Sequence, residues 1–259
     1  MSIKQTNPTR PLKKKKLRKP KPVGAQSSPT LTFHQLTWLE WMAMGLGIWF
    51  LIYPVPYLFL FIAMLVLPLV GLLLNGISGR PGIASLVEIL KDEDGDNKYD
   101  VADFIDFPAI ILMLRVLIDF EFESYYSMII PGMVACIAMT VLVLATHKLI
   151  ASSTRNHTWI YLSFFFNICL YSVAATYGAN CVFDTSDPVV YHAEVVDKRI
   201  SKGRRHTSYY IKVMPWGHHY DTEEITVDYP KYNRVAVGET VEIDLKNGLF
   251  GIPWYYLDK

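Results

Sequence analysis

The chain has 259 residues, of which 51% are hydrophobic and 14% aromatic, a content that is high for a soluble protein and typical of a chain that is partly embedded in a membrane. Its three cysteines, two of them inside apolar segments, exclude a disulfide framework, and without a CxxC pair they do not indicate zinc. The net charge of +1 conceals strong segregation: residues 1–37 contain nine Lys/Arg and no acid, whereas residues 76–126 contain four Lys/Arg and eleven Asp/Glu.

The N-terminal tail, residues 1–35, is basic and proline-rich and shows no apolar periodicity, so we expect it to be disordered. The run Lys13–Lys19 precedes an apolar segment directly. We therefore interpret it as a cytoplasmic anchor attracted to anionic lipid, and we predict no nucleic-acid partner, although any such basic run is compatible with one.

The next segment, residues 36–75, has one formal charge, Glu40, and would form a helix of about 60 Å, twice the hydrocarbon core of a bilayer. Pro54 and Pro56 interrupt it, because proline removes a helix donor and restricts the residue before it. The sequence therefore predicts a transmembrane hairpin of two helices. Gly45, Gly47 and Gly71 are expected to let these two helices approach closely.

An acidic connection, residues 76–126, follows, and its residues 83–91 are compatible with a short amphipathic helix. Residues 92–103 place acids at positions 1, 3, 5, 9 and 12 of a twelve-residue loop, as a calcium-binding EF-hand loop does. The candidate ligands are Asp92, Asp94, Asp96, Asp100 and Asp103. Two departures weaken the match, since Asn97 replaces the expected glycine and position 12 is an aspartate. A solvated acidic loop without calcium is the alternative.

The same connection contains an apolar run, Phe107–Ile118, which is too short to cross a bilayer and is expected to form an interfacial or bundle-covering helix. Arg115 and Asp119 are spaced for pairing on one helical face. Arg115 is also a candidate interaction residue, because a charge facing a polar cavity marks a solute pathway in a transport or channel subunit.

Two further uncharged segments, Met128–Thr146 and Trp159–Gly178, predict a second transmembrane hairpin within residues 127–178. Four passes place both termini on one side of the membrane. The basic tail makes that side cytoplasmic, and a multi-pass membrane protein with both termini cytoplasmic follows.

The C-terminal β-domain, residues 188–259, shows period-two patterning separated by turn residues. We predict strands over 189–200, 207–214, 224–229, 240–245 and 252–257. Five short strands with one alternating face indicate a small sheet or partly closed barrel of the OB or SH3-like type. The predicted fold is therefore an α+β membrane protein, with four transmembrane helices in two hairpins and this β-domain.

The β-domain resembles bacterial membrane proteins of a domain-of-unknown-function class, which join transmembrane helices to a small β-domain. The resemblance lies in a Val-rich first strand, a basic glycine turn, a Tyr-Tyr-x-Lys-Val strand, a Val-Gly-Glu-x-Val run and a closing aromatic segment. These are Val189–Val196, Gly203–Arg205, Tyr209–Val213, Val237–Val241 and Gly248–Tyr255. The loop Trp216–Tyr220 departs from the pattern. The resemblance implies a fold and a bacterial inner membrane, and no activity.

The β-domain contains two groups of candidate site residues. Arg204, Arg205 and His206 form the densest basic patch outside the tail and are candidate contacts for lipid headgroups or an acidic partner, with a solvated hairpin tip as the alternative. A possible metal cluster consists of His206, His218, His219, Asp221, Glu223 and Glu224. We interpret these residues as an exposed polar loop instead, because neighbouring side chains on extended backbone point apart.

The chain contains no motif of a known catalytic or nucleotide-binding site, so we predict that it is not an enzyme. We expect a membrane protein that presents a cytoplasmic β-domain as a protein- or lipid-interaction module. A transport or channel subunit and a membrane-resident toxin-immunity protein are the alternatives. No cofactor is predicted, apart from the possible calcium ion of residues 92–103. The expected partners are the bilayer and a membrane or cytoplasmic protein, and the oligomeric state is not predicted.

Overall fold

The computed structural model describes residues 37–91, 97–149, 157–203 and 207–257, which form an α+β fold. The helices are α1 (Thr37–Ile52), α2 (Tyr57–Ile77), α3 (Asp103–Asp119), α4 (Ile129–Thr146), α5 (His157–Val182) and the short α6 (Tyr229–Arg234). The strands are β1 (Val87–Lys91), β2 (Asn97–Val101), β3 (Glu121–Phe122), β4 (Val189–Lys202), β5 (Thr207–Val213), β6 (Glu223–Val227), β7 (Thr240–Lys246) and β8 (Trp254–Leu257).

Three helical segments of the described chain are long and apolar enough to cross a membrane, which indicates a membrane protein. They are Tyr57–Ile77, Tyr126–Thr146 and Thr158–Val182. The prediction of four spans is not confirmed, because the apolar helix α1 has only 16 residues, or about 24 Å of helix.

The proline-induced break in the first apolar segment is confirmed, since α1 ends at Ile52 and α2 begins at Tyr57. The rings of Phe50 and Tyr57 pack edge to face across this turn, with centroids 5.2 Å apart. The two helices therefore form the expected hairpin.

Helix α3 differs from its expected place. It has 17 residues rather than the twelve of the apolar run, and it packs against α1, α2 and α5. Phe104, Leu112 and Val116 are fully buried in these contacts. The central position of α3 is difficult to predict from the sequence, because acidic residues in the first turn and charges near the end are typical of a surface helix.

The glycines of the first hairpin make room mainly for α3. A Cβ on Gly47 would lie 2.5 Å from the ring of Phe107, and one on Gly71 would overlap the ring of Phe104. Around Gly45, by contrast, no atom lies within 4 Å of such a Cβ. The expected close approach of α1 and α2 is thus confirmed only at Gly71, where a Cβ would also lie 2.9 Å from Leu39, whereas Gly47 makes room for α3 instead.

The five long helices alternate in direction along the bundle. At one end, which we call the tail end, Leu39 of α1 and Phe104 of α3 meet Gly71 of α2. At the other, the sheet end, the hydroxyl of Tyr57 donates to Asp119. Helix α1 therefore starts at the tail end.

The second hairpin of helices continues this alternation. Asn75 near the end of α2 lies 3.3 Å from His147 (Nδ2 to Nε2), which directly follows α4. Gly178 near the end of α5 packs against Phe61 and Val116. Helix α5 consequently ends at the sheet end, opposite the start of α1.

The connection between α2 and α3 contains an antiparallel hairpin, in which Val87 pairs with Val101 and Lys91 with Asn97. The amphipathic helix expected over residues 83–91 is wrong: a single 3-10 turn at Ile83–Leu86 leads into β1. A short apolar window fits helical and strand periods equally well, and here pairing with β2 decides the outcome.

The C-terminal sheet is antiparallel and curled, with the strand order β3-β8-β7-β4-β5-β6. Strand β4 pairs with β7 through Val189–Glu194 and then with β5 through Val195–Lys202, and its register shifts between Val195 and Asp197. This irregularity bends the long strand, so that one face encloses a core. The fully buried core residues are Val195, Ile211, Val213 and Ile243.

All five predicted strands are present, with ends that shift by up to two residues. Strand β3 was not predicted, because its two residues lie in the connection between α3 and α4. An OB or SH3-like barrel is not confirmed, since no backbone pairing joins β6 to β8 within the described residues.

Candidate interaction site between the helix bundle and the β-sheet

The last turn of α5 binds the β7–β8 loop through Asn180, a fully buried side chain. Its Nδ2 donates to the carbonyl oxygen of Ile252 at 2.9 Å, and its Oδ1 accepts from the amide of Phe250 at 2.9 Å. The backbone carbonyl of Asn180 accepts a third bond, from Leu249, at 3.0 Å. One buried amide thus satisfies backbone groups that would otherwise be unpaired.

Asp184, two residues beyond α5, adds a second set of bonds to the same loop. Its Oδ2 accepts from the amide of Gly248 at 3.0 Å and from Nε1 of Trp254 at 2.8 Å. Burial acts to raise the pKa of this carboxyl, but hydrogen bonds from Ser186 and Trp254 and the charge of Lys246 outweigh it and lower the pKa. Asn180 and Asp184 together form what we call the clamp.

Glycine is required at position 248 for two reasons. Its φ of 74° lies in the left-handed region that L side chains rarely adopt. A Cβ there would also overlap the side-chain amide of Asn180. The clamp therefore depends on a backbone that approaches α5 without a side chain.

A second attachment joins the α3–α4 connection to the sheet. Phe122 of β3 pairs with Trp254 of β8, and Glu121 pairs with Tyr255. The rings of Phe120 and Trp254 also pack edge to face, 5.4 Å apart. With the clamp, this attachment orients the β-domain on the sheet end of the bundle.

Helix α3 contains an ion pair near its last residue, next to the start of α2 and at the sheet end of the bundle. Arg115 donates to Oδ1 of Asp119 at 2.6 Å, and Tyr57 donates to Oδ2 at 2.9 Å. The Arg115 guanidinium also lies 5.6 Å from the centre of the Phe50 ring. The expected pairing of Arg115 with Asp119 is confirmed, and these side chains are only 11% and 19% exposed.

A cleft of about 610 Å³ opens beside this ion pair, between the end of α3 and the two edges of the curled sheet. Ile225, Thr226 and Val227 of β6 form one wall. Tyr255, Tyr256 and Leu257 of β8 form the facing wall, and the last turn of α3 closes the membrane side. The site has both apolar and charged linings, as a peptide-binding groove does.

Glu223 connects the two walls of the cleft. Its Oε2 accepts from Nε1 of Trp216 at 3.0 Å, and its Oε1 accepts from the hydroxyl of Tyr255 at 2.9 Å. The His219 ring stacks on Trp216, with centroids 4.6 Å apart. Strands β6 and β8 are therefore connected here by side-chain hydrogen bonds instead of backbone hydrogen bonds.

The predicted calcium ligands are only partly described. Asp100 lies exposed in β2 and its Oδ1 accepts from the amide of Val101, while Asp103 begins α3. Asp92, Asp94 and Asp96 lie outside the described residues, as do Arg204, Arg205 and His206 of the predicted basic patch. Among the described residues there is no group of three or more His, Cys, Asp or Glu side chains placed to hold a metal ion. Calcium binding and the basic patch stay predictions.

The most important residues of this region, Asn180, Asp184 and Glu223, were not singled out from the sequence. A signal for Asn180 existed, since it is a polar residue near the end of an apolar span. The sequence does not show that its partners lie some 70 residues away. The sequence suggests Glu223 only as a member of a possible metal cluster, and not as a contact between strands.

Comparison of the chain with protein-family models, with curated proteins and with solved structures found no match in any of the three. The resemblance to a domain-of-unknown-function class therefore stays a prediction. The geometry of the clamp and the cleft is the basis for a functional conclusion.

Proposed function

We propose that this chain is an integral membrane protein whose β-domain is a protein-interaction module, held in one orientation above the helix bundle. The observation that carries the proposal is the clamp, in which buried Asn180 and neighbouring Asp184 bind the β7–β8 loop. Buried polar networks of this kind cost stability unless every partner is in place, so they favour a defined arrangement. A fixed orientation presents the adjacent cleft to a partner at a set height above the membrane.

A protein partner fits this cleft better than a lipid headgroup. Glu121, Asp119 and Asp228 line it, against one basic residue, Lys231. Anionic headgroups would meet like charge there. The module is thus proposed to bind protein, and lipid contact is limited to the helices.

We further propose that the β-domain lies on the membrane face opposite the basic tail. Helices α1 to α5 alternate in direction, and α1 starts at the tail end whereas α5 finishes at the sheet end. The Lys and Arg residues of the connecting segments are divided in the same way. The segments at the tail end contain nine in residues 1–36, three in 78–102 and two in 147–156. The segments at the sheet end, residues 53–56 and 120–128, contain none. Short loops rich in Lys and Arg stay cytoplasmic, while a long domain crosses regardless of its charge.

This arrangement replaces the expectation that both termini are cytoplasmic, which depended on an even number of passes. Helix α3 is the additional pass. Its 17 residues and the 16 of α1 make about 26 and 24 Å of helix, both short of the usual core, and local thinning of the bilayer accommodates such a mismatch. The bacterial inner membrane is part of the proposal through the resemblance alone.

The topology is tested with single cysteines in a variant whose three native cysteines are replaced. Ser2→Cys and Lys259→Cys are labelled in spheroplasts with a membrane-impermeant maleimide. We expect Lys259→Cys to react at once and Ser2→Cys to react only after permeabilisation. Equal reactivity of both before permeabilisation, or of neither, would contradict the arrangement.

The interaction module is tested by replacing Thr226, in the cleft, with a photo-reactive amino acid in cells. The same replacement at Glu242, exposed on β7 outside the cleft, is the control. We expect a protein adduct of discrete mass from position 226 and none from position 242. If illumination at 226 gives no adduct in cells that carry the full chain, the β-domain is not an interaction module.

A further inference from the structure

Strand β6 is a free edge of the curled sheet. It pairs with β5 through five successive residues, from Glu223↔Val213 to Val227↔Tyr209. On its other side, no backbone hydrogen bond to residues 223–227 is present in the described part of the chain. The edge is about 17 Å long at 3.3 Å per residue.

A side-chain contact covers only the first residue of this edge, Glu223, which accepts a hydrogen bond from Tyr255 of β8. Natural edge strands are blocked by proline, charged side chains, a bulge or a covering element, and in β6 the charged side chains are confined to Glu223 and Glu224 at one end. β6 has the sequence Glu-Glu-Ile-Thr-Val, its register with β5 is regular, and it borders the cleft of about 610 Å³. A largely uncovered edge beside a cleft is the geometry in which an extended peptide adds to a sheet.

The charges of the cleft indicate what kind of peptide fits. Asp119 is paired with Arg115, and Asp228 caps α6 by accepting from the amide of Lys231 at 2.9 Å. Glu121 makes no ion pair among the described residues, and desolvation and then the charge of Glu223 raise its pKa. A cation in the cleft beside Glu121 would offset this repulsion.

The membrane side of the cleft adds an apolar contact. Leu117 and Ile118, in the last turn of α3, are 55% and 65% exposed and border the cleft. Successive side chains of an extended peptide point to opposite sides. A segment that alternates apolar and basic residues therefore offers apolar side chains to Leu117 and Ile118 and basic side chains to Glu121, all of which border the cleft.

We propose that β6 accepts an extended segment of a partner protein as an additional strand, and that this segment alternates apolar and basic residues. The proposal rests on the interaction module proposed above and names its binding surface. The lysine-rich tail of the same chain is not the proposed occupant, because it joins α1 at the other end of the bundle and, in the topology proposed above, the membrane separates it from β6.

The test uses the purified full-length protein in detergent and three fluorescent ten-residue peptides, with binding measured by anisotropy. The first alternates valine and lysine, the second alternates valine and glutamate, and the third is the lysine peptide with alternate backbone nitrogens methylated. We expect the lysine peptide to bind about tenfold more tightly than either of the others, since strand addition needs both the backbone donors and the complementary charge.

Two variants locate the site. Glu121→Gln is expected to reduce the preference for lysine over glutamate by about threefold, since it removes one carboxylate from the cleft. Glu242→Gln, on exposed β7, is the matched control and is expected to leave that preference unchanged.

Equal binding of the methylated and unmethylated lysine peptides, or of the lysine and glutamate peptides, overturns the proposal. Pairing of β6 with β6 of a second copy, seen as a dimer that the lysine peptide does not dissociate, overturns it as well. A discrete adduct from position 226 together with no peptide binding rejects strand addition but retains the module. Absence of both rejects the module itself.

Discussion

Tyr57, the first residue of α2, donates its hydroxyl to Oδ2 of Asp119, the last residue of α3, at 2.9 Å. Helix α3 therefore ends where α2 begins. Because α2 runs away from that end, α3 runs towards it and adds a fifth helix to the bundle. Together with the contacts of Gly71 and Gly178, it places the start of α1 and the end of α5 at opposite ends of the bundle.

The ion pair below the cleft predicts a specific pattern of stability losses. Asp119→Asn leaves the nearly buried Arg115 without its counter-charge, and we expect it to lower the free energy of unfolding by about 2–3 kcal/mol. The measurement is thermal unfolding in detergent, followed by tryptophan fluorescence.

Its control is the double variant Arg115→Met/Asp119→Leu, which removes both charges. We expect it to be more stable than Asp119→Asn, because no unpaired charge is left. Equal loss in both variants would show that the pair acts through packing alone.

The two glycines of α1 provide a matched pair of substitutions. Gly47→Ala places a methyl group 2.5 Å from the Phe107 ring, and we expect a loss of about 1–3 kcal/mol through overpacking. Gly45→Ala meets nothing within 4 Å and is expected to be neutral, or stabilising by up to about 1 kcal/mol, because alanine favours helix. Apparent melting temperatures in one detergent compare them directly, and equal values would contradict the packing of α3 on α1.

The clamp predicts a local loosening of the β-domain. Asn180→Ala leaves the amide of Phe250 and the carbonyl of Ile252 without partners, and we expect a loss of about 2–4 kcal/mol. Limited trypsin digestion should then cut faster after Lys246, just before the freed loop. Asn167→Ala, a half-buried position on the same helix, is the control, and similar digestion of both variants would argue against the clamp.

His147 predicts a dependence on pH at the tail end of the bundle. Burial, opposed in part by a backbone hydrogen bond, lowers its pKa from 6.5 to about 4, with Arg80 contributing. The unfolded chain therefore takes up a proton that the folded chain does not, and stability falls as pH decreases from 6.5 to about 4.

The variant His147→Gln isolates this effect from other titrating groups. We expect its melting temperature to change less than that of the native chain over this pH range, with a difference of several degrees at the acidic end. Parallel pH profiles would show that His147 does not titrate in this way.

Local chemistry alone predicted several elements. The two prolines after Ile52 predicted the break between α1 and α2, because proline acts on its own backbone and on the residue before it. Alternating residues predicted the strands of the β-domain, since one face of each strand enters its core. The spacing of Arg115 and Asp119 predicted their pairing, which lies within one helix.

The packing of the helices and the attachment of the β-domain depended on contacts between distant parts of the chain. The amino-acid sequence by itself determined that long apolar helices are followed by a small β-domain, because helix length and strand alternation are read within a few residues. Only the tertiary structure decided that α3 packs inside the bundle, that β3 joins β8 and that Asn180 binds a loop some 70 residues later. Those choices depend on which surfaces meet, and no local pattern encodes that. Contacts between distant residues also determine the direction of α3, on which the side of the membrane proposed for the β-domain depends.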